Sequence, residues 1–179
     1  MLFVGAILLG LVFALLTGGR LENLARLRFR WPWLLVAAVV VREAVLLTPL
    51  GRIDAARYVY VLALAGILGW TVWHWRRVSG VWLVSAGIAL NLVVIVANGA
   101  RMPVAPELAG SLARHGTVGQ YTVMGDGTHL NLLADWIALY PVPEAYSPGD
   151  VLIALGLAIV VFSAARNPRP YREKELTPP

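Results

Sequence analysis

Three side chains in the second half of the sequence, His129, Asp135 and Asp150, can carry or accept protons, and Asn91, Asn98 and Arg101 ahead of them can hold a polar or anionic group. An imidazole beside two carboxyls offers a proton carrier with a catalytic acid or base. A guanidinium such as Arg101 supplies an anion clamp. His129, Asp135 and Asp150 also present nitrogen and oxygen donors to a metal, but the chain has no HExxH and no clustered histidines, so neither a metal nor a cofactor is expected.

Each of these residues also has a plainer structural use. In Ser147-Pro148-Gly149-Asp150 the serine can cap a helix, the proline can be its first residue, and the aspartate can return to the cap amide, as in a capping box. Asn98-Gly99 can end a helix, because both residue types tolerate the left-handed conformation, and Pro103 discourages its resumption. Asn91, seven residues earlier on the same helix face, lies deeper and needs an internal hydrogen-bond partner. His129 at a membrane edge can simply face water. No GxSxG elbow, GxxxxGK[ST] or GxGxxG loop is present, and without cysteine there is no thiolate chemistry.

The elements that must position these residues are apolar. Of the chain, 59% is hydrophobic and 14% charged, with a mean hydropathy of +0.71. Soluble domains average about 45–50% apolar and about 25% charged, so this composition points to a bilayer. Five apolar runs predict an all-α, polytopic transmembrane bundle with spans over about 2–17, 33–50, 58–74, 81–97 and 149–165, followed by a polar cytoplasmic tail over 166–179. The small residues Ala6, Gly10 and Ala14, and Ala65 with Gly69, could let helices approach closely. Within the second run, Arg42-Glu43 is an intramembrane charged pair that needs partners inside the bundle or access to water.

Between the fourth and fifth spans lies a long connection, 98–148. Its apolar stretch Thr128–Tyr140 is too short to span, and Thr128, Asn131 and Asp135 share one face at helical spacing. An interfacial or re-entrant helix is therefore expected over about 128–140.

Charge placement orders the spans. Arg20, Arg26, Arg28 and Arg30 against Glu22, then Arg76 and Arg77, then Arg166, Arg169, Arg172 and Lys174 against Glu173 and Glu175 fall on one side of a five-span chain. Arg52, Asp54, Arg57, Arg101, Glu107, Arg114, Asp126, Asp135 and Glu144 fall on the other. Basic connections stay in the cytoplasm, so the amino terminus is expected outside and the carboxyl terminus inside, in a cell inner membrane or plasma membrane. The first run is expected to be a retained helix rather than a signal peptide, because its arginines follow it. This placement reads as topology and argues against a nucleic-acid partner.

Taken as an ordered set, Asn98-Gly99, Met102-Pro103, Leu133 to Asp135 and Ser147-x-Gly149-Asp150 before a last apolar helix resemble a bacterial family of small multi-pass membrane proteins of unknown function. The resemblance covers roughly Met1 to Ala165 and implies no reaction. The function expected is a scaffold, accessory subunit or small-ligand binding component, with membrane lipids and another membrane protein or a second copy as partners. One alternative is a membrane-interface hydrolase or transferase for a lipid-linked substrate, using His129, Asp135, Asp150 and Arg101. A transporter component, with Arg42, Glu43 and Asn91 lining its path, is the other.

Overall fold

The computed structural model describes residues 1–27, 29–47, 55–110, 117–139 and 144–167. Among the described residues six α-helices form: α1 (Leu2–Leu16), α2 (Leu21–Leu24), α3 (Pro32–Leu47), α4 (Ala56–His74), α5 (Val81–Ala97) and α6 (Pro148–Arg166). The side chains of Arg42 and Glu43, and all of the tail beyond Asn167, lie outside the described residues. The 19-residue helices α4 and α6 are long and apolar enough to cross a membrane. Shorter apolar helices occupy Leu2–Leu16, Pro32–Val41 and Val81–Ala97.

At the centre, α6 is flanked by α1 and α5. On one side, α1 runs parallel to it: Tyr146, just before α6, meets Leu2, and Ala158 lies against Gly10. A β-carbon on Gly10 would come within 2.4 Å of the Ala158 carbonyl oxygen, so the two backbones approach as closely as only glycine allows. On the other side α5 runs antiparallel, with Gly87 against Gly149. Antiparallel packing continues from α5 to α4 and from α4 to α3. The expected ridge on α1 is used, since Gly10 and Ala14 are buried. That of Ala65 and Gly69 is not: Gly69 is exposed and a β-carbon there would meet nothing within 4 Å, while α4 buries Ala56, Tyr60, Ala63, Leu64 and Ile67 instead.

At the end of the bundle where α4 finishes, an aromatic clasp holds the start of α3. Trp70 Nε1 donates to the carbonyls of Arg30 and Trp31 at 3.1 and 3.2 Å. His74 is buried against Trp70, with ring centroids 4.2 Å apart. Its Nε2 accepts the Arg30 amide at 3.2 Å, which leaves Nδ1 to carry the proton and donate to the Trp70 carbonyl at 2.8 Å.

The segment after α5 departs from the all-α expectation. It folds into a small cap with strands β1 (Met102–Val104), β2 (Thr117–Val118) and β3 (Tyr121–Val123) in the order β1-β3-β2, where β1 and β3 are parallel. A second ladder pairs β4 (Ile137–Ala138) with β5 (Ala145–Tyr146). No α-helix forms over the described part of 128–140: Leu130 sits at φ 59°, only Asn131–Leu133 makes a 3-10 turn, and β4 follows. A left-handed leucine stops helix propagation. The backbone then finds partners across the cap, with the Asp135 amide donating to Pro103, the Ala105 amide to Asp135 and the Trp136 amide to Tyr146.

The stagger of α5 against α6 explains where the cap sits. Since Gly87 already faces Gly149, the stretch from Gly87 to Ala97 carries α5 about 15 Å past the start of α6 at 1.5 Å per residue. Around this projecting end, Val94 and Ile95 are buried in a core with Met102 and Ala134, and Tyr121, Met124 and Leu133 pack against it. The hydrophobic core thus continues from the bundle into the cap.

Candidate functional site

Where the cap meets the start of α6, three residues are joined by four hydrogen bonds into a ring. Ser147 is fully buried and caps α6: its Oγ accepts the Asp150 amide at 3.0 Å, while Asp150 Oδ2 accepts the Ser147 amide at 3.0 Å. From α5, Asn91 Nδ2 donates to Asp150 Oδ1 at 3.0 Å, and Asn91 Oδ1 accepts the Ser147 hydroxyl at 2.8 Å. Both carboxylate oxygens of Asp150 are therefore engaged, and the one hydroxyl proton of Ser147 is committed to Asn91. Asn91 is the deep amide that needed a partner, and α6 supplies it.

Asp135 lies next to this ring but outside its hydrogen bonds. The residue is 7% exposed, anchored through its backbone between Pro103 and Ala105, and bridges to Val104. Its Oδ1 is buried with no hydrogen-bond partner. Burial, helped by the charge of Asp150, pushes its carboxyl from 3.8 up to about 8. At neutral pH Asp135 is consequently held mostly as the neutral acid.

His129 and Asn98 take other roles. The His129 residue is exposed, and its peptide group is gripped by the Asn98 side chain: the His129 amide donates to Asn98 Oδ1 at 2.8 Å and Asn98 Nδ2 donates to the His129 carbonyl at 2.9 Å. The same Nδ2 donates to the Val94 carbonyl at 2.8 Å. Asn98 thereby closes the end of α5 and fastens the cap to it. Gly99 and Ala100, at φ 63° and 65°, turn the chain, and the Ala100 amide returns to the Ile95 carbonyl at 2.9 Å. Replacing Asn98 with alanine should raise amide hydrogen exchange at His129 and lower stability by about 1–3 kcal/mol, the usual cost of stranding such partners. An unchanged exchange rate at His129 would show that the clamp does not hold the cap.

Arg101 is half-buried where α5 passes into β1. Among the expected site residues, the fold joins Asn91, Ser147 and Asp150, sets Asp135 beside them, and ties His129 to Asn98 through its backbone. Tyr146 had no sequence signal beyond an aromatic before the cap. Its hydroxyl donates to the Glu144 carboxylate and accepts from the Met1 amine and the Leu2 amide at 3.2 Å each, fastening the start of α1 to β5. Glu144 also pairs with the Met1 amine at 2.8 Å. These contacts hold the Glu144 carboxyl below its usual range, and burial raises the Tyr146 phenol.

Among the described residues, no three His, Asp or Glu side chains come together as a metal site. What the arrangement can do chemically is bind or release a proton at Asp135 and hold polar backbone against the start of α6. Comparisons with curated proteins and with solved structures gave no match. Residues 26–162 match the family of unknown function DUF5317; the helical, membrane-associated chain belongs to that family.

Proposed function

We propose that the chain is a five-span membrane protein in which α1, α3, α4, α5 and α6 each cross the bilayer, and that its cap acts as the docking face of a scaffold, accessory subunit or small-ligand binding component. The observation that carries this reading is the outward face of every long helix. Leu8 and Phe13 on α1, Trp33 and Val36 on α3, Leu62 and Trp73 on α4, Val93 and Val96 on α5, and Leu155 on α6 are all exposed. Apolar surface this extensive around a bundle fits lipid rather than water. The alternating helix directions support the cap and the amino terminus outside, with the basic connections and the carboxyl terminus in the cytoplasm.

Support for a non-enzymatic role comes from how the polar atoms are used: Ser147, Asn91 and Asp150 bond one another, and His129 serves through its backbone. The runner-up, an interfacial hydrolase or transferase, rests on Asp135 alone, whose buried carboxyl keeps a proton available. A transport route loses Asn91, which is engaged with α6 at the edge of the bundle.

The absence of cysteine makes the topology directly testable. Single cysteines at Glu22, Arg76 and Asp126 should label from sealed vesicles such that the first two share one side and Asp126 reports from the other. Labelling of Glu22 and Asp126 positions from the same side would overturn the five-span reading. Native purification with mass spectrometry of co-purifying proteins then separates a subunit from a free-standing protein.

A further inference from the structure

We propose that the end of the bundle opposite the cap is a binding surface for the headgroups of anionic phospholipids, formed by Arg20, Arg30, Arg76, Arg77 and Arg166. These five residues come from two connections and the last turn of α6, far apart in sequence, and tertiary contacts bring them to one end. The Arg20 amide donates to the Ala165 carbonyl at 2.9 Å, which sets Arg20 beside Arg166 at the finish of α6. Arg30 is fixed by its amide to His74, and the Arg77 amide donates to the His74 carbonyl at 2.9 Å. All five are exposed, and Glu22 is the exposed acid near them among the described residues. Among the described residues of the cap the exposed charged side chains include the acids Glu107, Asp126 and Glu144.

Charge alone would suit any polyanion; the aromatic residues decide for lipid. Trp31, Trp33, Trp73 and Trp75 are exposed at this same end, 46–62% each. Indoles sited where apolar helices finish lie at the headgroup level of a bilayer. The Arg30 guanidinium stands 4.7 Å from the Trp31 ring and that of Arg166 5.6 Å from the Phe162 ring, so the cations are held at the level of the aromatic residues. Lys174 is the single lysine of the chain, so the basic groups here are guanidinium forks that can bond two phosphate oxygens at once.

This inference rests on the membrane reading above. The test reconstitutes the full chain into nanodiscs of phosphatidylcholine with or without phosphatidylglycerol, and measures thermal unfolding and the lipid retained after transfer to detergent. Retained lipid should be enriched in phosphatidylglycerol, the unfolding midpoint should be higher in the anionic discs, and high salt should erase both effects. Arg76→Gln with Arg77→Gln should cut the enrichment about tenfold, whereas Glu107→Gln at the cap should leave it intact. A protein that inserts into phosphatidylcholine discs yet shows no anionic preference overturns this proposal and leaves the membrane reading standing. Failure to enter any disc overturns both. If inorganic phosphate in phosphatidylcholine discs raises the midpoint as much as phosphatidylglycerol does, the surface binds free anions and the lipid proposal falls.

Discussion

Gly87→Ala is expected to destabilise the bundle by about 1–3 kcal/mol or more, the range for forcing an extra methyl into a packed interface. A β-carbon there would lie 2.3 Å from the Gly149 carbonyl oxygen and 2.8 Å from Ile153. The first obstacle is backbone of α6, which cannot swing aside as a side chain could. Accommodation requires α5 and α6 to separate, and this separation also pulls Asn91 from Ser147 and Asp150 one turn further along. Gly66→Ala is the matched control, because nothing lies within 4 Å of the added atom. It should be neutral or gain up to about 1 kcal/mol from better helix propensity. Denaturant or thermal unfolding of both variants in the same nanodiscs reads the difference; equal stabilities would show that α5 and α6 do not make the close contact.

Asp135→Asn is expected to remove a pH dependence of stability from the cap. Unfolded, this carboxyl titrates near 3.8; folded, it is raised to about 8, first by burial and then by Asp150. The folded state therefore binds the proton more tightly. Its contribution is fully present below 3.8 and is lost progressively as pH rises through about 8. At about 1.4 kcal/mol per pKa unit this single group outweighs ordinary surface substitutions. The carboxamide has the same shape, stays neutral throughout and should flatten the profile over that window, making the variant more stable than the parent above neutral pH. Asn91→Leu, which leaves Asp150 without its α5 donor, should not flatten it. A parent whose stability is already level from pH 4 to pH 8 would overturn the assignment of a neutral Asp135. If Asp135 also serves a reaction on a bilayer substrate, Asp135→Asn separates the two roles, since it would abolish turnover while raising stability.

Much of this could be read from the chain alone because it depends on local order. The apolar runs mark where α1, α3, α4, α5 and α6 form, since the cost of leaving backbone groups unpaired in an apolar setting is met within each helix. Ser147 and Asp150 are three residues apart, so their reciprocal cap needs nothing from the rest of the fold. Asn98-Gly99 marks the end of α5 for the same reason.

Helical spacing at Thr128, Asn131 and Asp135 misled, because periodicity records which residues share a helix face only if a helix forms. There the competing partners are distant in sequence: Pro103, Ala105 and Tyr146 take the backbone of Asp135 and Trp136, and Asn98 takes that of His129. The joining of Asn91 to Asp150 depends on the stagger of α5 against α6, which Gly87 and Gly149 set by allowing backbones to touch. Nor does Asp135 differ from any other aspartate on paper; its raised pKa arises from the apolar cap folded over it. The sequence by itself determined the five long helices, their order and the cap of α6, because those follow from bonds within a few residues. Only the tertiary structure decided which polar groups meet, because a buried side chain's chemistry is set by neighbours that the chain brings from afar.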